Sequence, residues 1–282
     1  MYYIDERFTT KQINKALKEN RDITFKSGRY RLTDCLILYS NTKVTCEGWV
    51  AFCREHKGRM LQLNVSPETT AYNGTHDIIW KGGIFHADYR NENANVVSLF
   101  HGKNITLQDI QIQGCRGYHS IEVNACKNVL VEDCFILDQS SKEGETFREA
   151  IQIDFANKDG LATKNAKGTS PCYDGTHCQD ITIKNSIIRN CPNGFGTHTV
   201  SVDPEYHKNI KLLNVGFLDI QGYAIQLFGV DGFFANTSVE IKSHIGTKSQ
   251  AHLNSGGKTK LAVERGNKNV KLKCGETETV ID

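Results

Sequence analysis

The segment FREAIQIDFA, residues 147–156, places ionisable and amide side chains between apolar ones. Its apolar residues fall at every second position, a pattern that predicts a strand with one buried face. The alternate positions hold Gln152 and Asp154, and Arg148 and Glu149 come just before them. Carboxyl groups held together can donate and accept the protons that cleavage of a glycosidic bond requires. The chemistry open to this segment therefore depends on what its neighbouring strands contribute.

A short pattern recurs along the chain and indicates how the strands are arranged. Its copies are KNITLQDIQIQGC from Lys103, KNVLVEDCFILDQ from Lys127, QDITIKNSIIRNC from Gln179 and KNIKLLNVGFLDI from Lys208, with HDIIWKGGIFHAD from His76 as a looser one. Each has Asn or Asp at its second position and then alternates apolar and polar residues. In all but the looser copy, a second Asp or Asn follows five positions after the first.

The repeats predict an all-β fold, a parallel β-helix. A unit this short, with no room for a helix, cannot bury its apolar face alone, so successive copies must stack. Stacked asparagines at matching turns suit this arrangement, because Asn tolerates left-handed geometry and its side chains can hydrogen-bond along a ladder. A β-propeller would need four-stranded blades, and a leucine-rich repeat would need a leucine framework that is absent here.

The N-terminal segment FTTKQINKALKEN, residues 8–20, predicts an amphipathic helix that caps the open end of the stack. Ile13 and Leu17 lie four residues apart on one face, and Thr9 or Thr10 is a suitable N-cap. A helix at this end would protect an exposed strand edge. We expect one domain over residues 1–282, with repeat coils over about 24–240 and terminal strands or a cap over 241–282.

The strands that follow the repeats can be stacked by their apolar residues, which defines three columns of side chains. The interior column holds Ile121, Ile151, Phe195 and Ile225. One outward column holds Ser98, Glu122, Gln152, Gly196 and Gln226, and the other holds Phe100, Asn124, Asp154, His198 and Phe228. We expect the outward columns to face water. Several acids in one patch should raise at least one carboxyl pKa by mutual repulsion.

Glu122 and Asp154 differ by one rung and two positions in these columns. Strand spacing and rise then predict that their Cα atoms are roughly 8 Å apart. That separation lies in the window of about 6.5–9.5 Å between the acid and base of an inverting glycosidase, where a water molecule fits between the two carboxyl groups.

The repeats, the helix and these strands resemble the right-handed parallel β-helices of the pectin-lyase-like superfamily, which includes polygalacturonases, pectate lyases and phage tail-spike depolymerases. Polygalacturonases carry N-T-D, D-D and G-H-G segments on successive coils. Here SIEVN offers Glu122 on the first coil, and REAIQI offers Glu149 at the second acid. GFGTHT has Phe195 where the family has histidine, with His198 three residues on. The resemblance implies a site in the same place without the complete pectin-hydrolysing set.

The leading hypothesis is a glycoside hydrolase that cleaves a polymeric glycan, possibly an acidic one, in a groove across the parallel strands. The candidate catalytic residues are Glu122, Glu149, Asp154 and His198. The candidate substrate-binding residues are His101, His119, Asn124, Arg148, Gln152, Tyr223 and Gln226.

Two alternatives remain open. A polysaccharide lyase would need a base to remove a proton next to a sugar carboxylate, and Arg148, His119, His198 and Tyr223 are close enough to serve. A non-catalytic carbohydrate-binding adhesin of a phage or prophage would bind through aromatic side chains, and Phe100, Tyr118, Tyr223 and Phe228 are available.

The segment 156–178 interrupts the repeat directly after Asp154 and predicts an irregular loop that overhangs the groove. Its lysines could attract an anionic polymer. Asp174 and His177 would form the turn into the next strand. We expect that deleting the loop weakens substrate binding and leaves thermal stability nearly intact.

Composition excludes several other classes of protein. The chain has 282 residues, of which 39% are hydrophobic, and a net charge of +2, so neither disorder nor nucleic-acid binding is indicated. No run of about 18 apolar residues predicts a membrane helix. The N-terminus lacks the apolar core of a signal peptide, so we expect a cytoplasmic protein or one carried in a phage virion. A homotrimer, as in tail spikes, is possible.

The ten cysteines lack C-x-x-C spacing, and several occupy apolar strand positions. We expect them to be reduced and buried, and we expect no metal or cofactor.

Overall fold

The computed structural model describes residues 1–88, 90, 92–142, 148–158, 167, 169–197 and 207–226 with their side chains. From residue 227 onward it describes only the backbone of the strands. The helix α1 spans Thr10–Glu19. The first thirteen strands are β1 (Tyr2–Ile4), β2 (Asp22–Phe25), β3 (Gly28–Leu32), β4 (Leu36–Leu38), β5 (Lys43–Cys46), β6 (Val50–Arg54), β7 (Leu61–Leu63), β8 (His76–Lys81), β9 (Ile84–His86), β10 (Val97–Phe100), β11 (Lys103–Gln108), β12 (Gln111–Gln113) and β13 (Ile121–Asn124). The others are β14 (Lys127–Glu132), β15 (Phe135–Leu137), β16 (Glu149–Asp154), β17 (Gln179–Cys191), β18 (Asn193–Gly196), β19 (His207–Ile220), β20 (Ile225–Leu227), β21 (Val230–Ala235), β22 (Ser238–Val239), β23 (Ser243–Ile245), β24 (Gln250–Asn254), β25 (Val270–Cys274) and β26 (Thr277–Ile281).

Successive coils of the chain stack their strands in parallel. Each coil adds one strand to an eight-stranded sheet, sheet B, whose order is β23-β20-β18-β16-β13-β10-β7-β4. The rest of each coil pairs within a sixteen-stranded sheet, sheet A, either as two short strands or, in β17 and β19, as one long strand. This is the predicted right-handed parallel β-helix, with the handedness that parallel crossovers adopt. The coils continue to β24, beyond the predicted limit near residue 240, and β25 and β26 form an antiparallel pair.

The interior column of sheet B has the predicted register. Ile121 pairs with Ile151, Ile151 with Phe195, and Phe195 with Ile225. All four side chains are at most 1% exposed. Because side chains alternate across a strand, this register fixes which residues of each strand point away from the core.

Asparagine and aspartate ladders hold the turns of successive coils together, as predicted. Asn128 donates to Asn104 at 2.9 Å, and Asn104 donates to Asp77 at 2.7 Å. All three residues have positive φ, between 54° and 56°. Asn and Asp accept this left-handed geometry at lower cost than other residues with a side chain, which explains their recurrence in the sequence.

The helix α1 packs against the first coils, as predicted for an N-terminal cap. The Thr9 side chain accepts from the Gln12 backbone, and the Gln12 side chain accepts from the Thr9 N–H, which together form a capping box. Ile13 and Leu17 are fully buried. On the adjoining face, Asn14 hydrogen-bonds the backbone beside and within β4.

Nine of the ten cysteines belong to the described side chains, and all nine are free thiols, seven of them buried. Burial raises the pKa of Cys115 and Cys178 to about 12, because a thiolate is poorly solvated there. These cysteines pack as small apolar residues, as predicted. Within the described part of the chain, no helix has the length and apolar character that a membrane crossing requires.

Candidate functional site

The outward-pointing residues of sheet B form one continuous polar stripe: Ser98, Glu122, Asn124, Gln152 and Asp154. Ser98 pairs with Glu122 and Glu122 with Gln152, while Asn124 pairs with Asp154. On the next strands, Gln152 pairs with Gly196, and Gly196 pairs with Gln226. The predicted columns therefore have the correct register, and Glu122 and Asp154 are diagonal neighbours on adjacent strands. His198 and Phe228 lie outside the described residues.

The expectation that this stripe faces water is wrong. Glu122 is 5% exposed, and Asp154 and Asn124 are fully buried. Alternation along a strand identifies which side chains leave the core, but segments distant in sequence decide whether solvent reaches them. Near Glu122 the cover includes the side chains of Arg59 and Asn95, which approach it from outside its own strand.

Glu122 accepts hydrogen bonds on both carboxylate oxygens. Asn95 Nδ2 donates to Oε2 at 2.5 Å and Ser98 Oγ at 2.8 Å, while Asn124 Nδ2 donates to Oε1 at 3.3 Å. The Arg59 guanidinium lies 3.8 Å from Oε2. Burial raises the pKa of Glu122 to about 7, although Arg59 and the three donors each favour the charged form. Glu122 can therefore hold a proton near neutral pH.

Glu149 begins the strand that carries Gln152 and Asp154, and its side chain is 2% exposed. Burial raises its pKa to about 7, opposed by its own backbone N–H and by Arg148, and reinforced by the charge of Asp154. The predicted rise in a carboxyl pKa is thus present in two glutamates. Its main cause differs from the one expected, because desolvation outweighs repulsion between the acids.

His119 lies beside Glu149. Its Nδ1 is 2.7 Å from the Glu149 backbone carbonyl and 3.9 Å from the side-chain Oε2. A carbonyl can only accept, so Nδ1 carries the proton and Nε2 is the acceptor in the neutral ring. The ring is therefore oriented by the strand that supplies the acids.

Asp154 also uses both carboxylate oxygens as acceptors. The Phe155 backbone N–H donates to Oδ1 at 2.8 Å, and Gln152 Nε2 donates to Oδ2 at 3.0 Å. These bonds fix the side chain at the end of β16, so Gln152 orients Asp154 within the stripe.

The other predicted substrate-binding residues are not all in the stripe. Arg148 stacks over the exposed ring of Tyr118 at 5.8 Å. The Tyr223 N–H and the Gln226 Oε1 both interact with the side chain of Asn193 at the start of β18.

His101 has a structural role instead of the predicted substrate contact. Its ring is fully buried, with Nδ1 2.6 Å from the Ala71 carbonyl and Nε2 2.7 Å from the Cys172 carbonyl. Both ring nitrogens are engaged with backbone, which leaves neither for a substrate.

The second half of the inserted segment is part of the packed structure and not a simple overhang. Cys172 is fully buried, and its N–H donates to the Pro67 carbonyl at 3.0 Å. Asp174 accepts from the Ala71 N–H at 2.7 Å, as well as from Thr176. These described residues are irregular, as predicted, but their contacts argue against the expectation that deletion would leave stability intact.

Sequence reasoning missed Arg59 and Asn95. Each lies just before a strand of sheet B and not within one. Aligning the strand residues of successive coils therefore does not show that either side chain reaches Glu122. The available signal is their position two residues before a strand of sheet B: Asn95 before β10, one rung from Glu122, and Arg59 before β7, two rungs from it. Within the described ranges, no group of three or more His, Cys, Asp or Glu side chains is arranged to hold a metal ion.

Comparison with known proteins identifies the fold. No protein-family model and no curated protein sequence matches the chain. Its structure is similar to PfbA, a surface adhesin of Streptococcus pneumoniae, with a TM-score of 0.68 and 18% identity over 91% of this chain. The chain spans 64% of that structure's length. A second PfbA structure gives a TM-score of 0.63 and 15% identity, with 94% of this chain and 84% of that one covered.

A family 28 exopolygalacturonase of Yersinia enterocolitica is more distant, with a TM-score of 0.40 and 10% identity over 100% of this chain and 77% of that one. The stacked parallel sheets and the likeness to PfbA show that this chain has the right-handed parallel β-helix fold.

Proposed function

We propose that the protein is a polysaccharide-degrading enzyme, a glycoside hydrolase that uses the carboxyl groups of the polar stripe and of Glu149 at the start of β16. The observation that carries this proposal is the pair of glutamates, Glu122 and Glu149, whose pKa values are both raised to about 7 beside the hydrogen-bonded Asp154. Two roles are needed to cleave a glycosidic bond, an acid for the leaving oxygen and a base for water. The stripe offers candidates for both.

Glu122 is the proposed general acid. Near neutral pH a large fraction of it is protonated, and its proton passes to the glycosidic oxygen as the bond to the anomeric carbon breaks. The partly exposed Arg59 stands beside it, so this end of the stripe offers an approach for a sugar ring. Glu149 is the alternative acid, with the same raised pKa.

Asp154 is the proposed base. The two donors that fix its oxygens, Gln152 and the Phe155 N–H, orient the carboxyl group that would remove a proton from water. Its diagonal relation to Glu122 sets the Cα atoms roughly 8 Å apart by strand geometry. Side chains at these positions can place their carboxyl groups about 6.5–9.5 Å apart, the separation at which a water molecule fits between acid and base in an inverting glycosidase.

A panel of neutral and uronate-containing polysaccharides tests this proposal, with binding, new reducing ends and ultraviolet absorbance measured for each. Hydrolysis produces reducing ends without absorbance, whereas a lyase leaves an unsaturated uronate that absorbs. The Glu122→Gln variant should lose reducing-end production. Glu132→Gln is the matched control, because Glu132 pairs with Lys184 at 2.7 Å on sheet A, away from the stripe, and should retain it.

One observation favours a second candidate, a carbohydrate-binding adhesin. The stripe carboxyl groups are at most 5% exposed and make hydrogen bonds within the protein, as purely structural acids would. The fold is also the one found in a pneumococcal surface adhesin. Binding of a glycan without any new reducing ends or absorbance, unchanged in Glu122→Gln, would support this candidate and contradict the enzyme.

A further inference from the structure

A cavity of about 430 Å³ lies outside the polar stripe, beside strands of sheet A near the N-terminal end of the β-helix. Three of its lining residues are arginines: Arg29, Arg54 and Arg90. The other lining residues are Cys53, Glu55, His86 and Asp88. The proposed hydrolase uses none of these groups.

The register of β3, β6 and β9 places this cavity on the outer face of sheet A. Tyr30, Phe52 and Phe85 stack inside the β-helix, with ring centroids 4.9 to 5.5 Å apart. The residues beside them in each strand therefore point outward. Cys53 and His86 are register partners on neighbouring strands.

Arg29 reaches across this outer face. Its Nε donates to the Cys53 sulfur at 3.1 Å, and its side chain is exposed. Arg29 also lowers the pKa of His86, an effect secondary to burial. His86 is therefore neutral at neutral pH and lines the cavity as a hydrogen-bonding group.

Arg54 is a buried cation without a carboxylate partner among the described residues. It is 2% exposed, and its guanidinium donates through Nε and Nη2 to the Ala87 carbonyl and through Nη1 to the Gly58 carbonyl. Those three bonds leave two of the five N–H groups of a guanidinium for another acceptor. Burial lowers the pKa of Arg54, which reflects the cost of an uncompensated charge in this position.

The balance of charge around the cavity is positive. Three arginines line it together with the acids Glu55 and Asp88, and Arg31 lies 3.5 Å from Glu55. Glu92 and Asp88 both favour the charged form of Arg54 through space, so four arginines stand against three acids. Buried charges in proteins are normally paired, so an anionic group bound in the cavity would pair with the charge of Arg54.

We propose that this cavity binds an oxyanion, a carboxylate, sulfate or phosphate group on a molecule of about sugar size, through Arg29, Arg54 and Arg90. Planar guanidinium groups match the paired oxygens of these anions and bind them with charge-assisted hydrogen bonds. The volume is in the lower part of the range of small-molecule sites, which suits a monosaccharide-sized ligand and excludes a long polymer.

Isothermal titration calorimetry with inorganic phosphate, inorganic sulfate and glucuronate, at constant ionic strength, tests the proposal. Glucose is the neutral control. We expect saturable binding of at least one anion and none of glucose. Binding of glucuronate alone would identify a carboxylate site, whereas binding of phosphate and sulfate would identify a site for tetrahedral anions.

Arg29→Gln is the principal variant, because its exposed side chain can be removed without opening the core. We expect its dissociation constant for the bound anion to rise by about tenfold or more. Arg21→Gln is the control, since Arg21 is exposed, precedes β2 and does not line the cavity. Its affinity should equal that of the wild type.

Arg90→Gln provides a second variant at the other side of the cavity, and thermal unfolding verifies that each variant is folded. The absence of saturable binding by the wild type would overturn the proposal, as would equal loss of affinity in Arg29→Gln and Arg21→Gln. Neither result affects the proposed hydrolase, because the polar stripe contributes no residue to this cavity.

Discussion

The raised pKa of Glu149 has a measurable consequence for stability. The folded protein binds the Glu149 proton more tightly than the unfolded chain does, because the pKa is about 7 in the folded state against an ordinary 4.5. The stabilisation from this proton is complete below about pH 4.5 and is lost as the pH rises to about 7. Glu149→Gln keeps the shape of the side chain and removes the titration.

The magnitude follows from the two pKa values. The full difference corresponds to roughly 3 kcal/mol, since each pH unit is worth about 1.4 kcal/mol. Most of it, about 2 to 3 kcal/mol, falls between about pH 5 and about pH 8. Over that interval we expect the free energy of unfolding of Glu149→Gln to rise by about 2 to 3 kcal/mol relative to the wild type.

Urea unfolding at the two pH values, followed by tryptophan fluorescence, measures this difference, because Trp80 is fully buried in the folded protein. Glu47→Gln is the control. Glu47 is exposed and pairs with Lys26 at the surface, so its substitution should change stability by a similar amount at both pH values. A wild-type to Glu149→Gln difference that is the same at both pH values, to within about 0.5 kcal/mol, would refute the reasoning from burial.

Substitutions at three further positions separate function from structure. Asp154→Asn should lower turnover on a cleaved glycan by on the order of a hundredfold in a reducing-end assay. Because both carboxylate oxygens are hydrogen-bonded, it should also lower the unfolding free energy by about 1–2 kcal/mol. Turnover equal to that of the wild type would contradict the role of Asp154 as base. Asn128→Ala should destabilise by about 1–2 kcal/mol in urea, through loss of the bond to Asn104 and a Cβ at positive φ. Asn128→Gly should cost less, and an equal cost would show that backbone strain is unimportant there. Tyr72→Phe removes the hydroxyl that donates to the His177 carbonyl at 2.9 Å and should destabilise by about 1 kcal/mol, whereas no change would mean that the inserted segment contributes little to stability.

The sequence by itself determined the fold and the register of the polar stripe. Strand alternation and the recurring asparagines are local signals, and they repeat from coil to coil because every coil meets the same neighbours above and below. Stacking Ile121, Ile151 and Ile225 in one column was therefore enough to pair Glu122 with Gln152 and Asn124 with Asp154. A shift by one residue would have placed the acids in the core, so the apolar pattern allows only this register.

Only the tertiary structure decided how the stripe is solvated. Alternation gives the direction of a side chain and carries no information about which distant segment covers it. Arg59 reaches Glu122 from outside the strands, and Cys172 and Ala71 enclose His101 through backbone carbonyls that no side-chain pattern records. Burial by such contacts, and not repulsion between neighbouring acids, sets the pKa of Glu122 and Glu149, because desolvation depends on every atom that excludes water from the site.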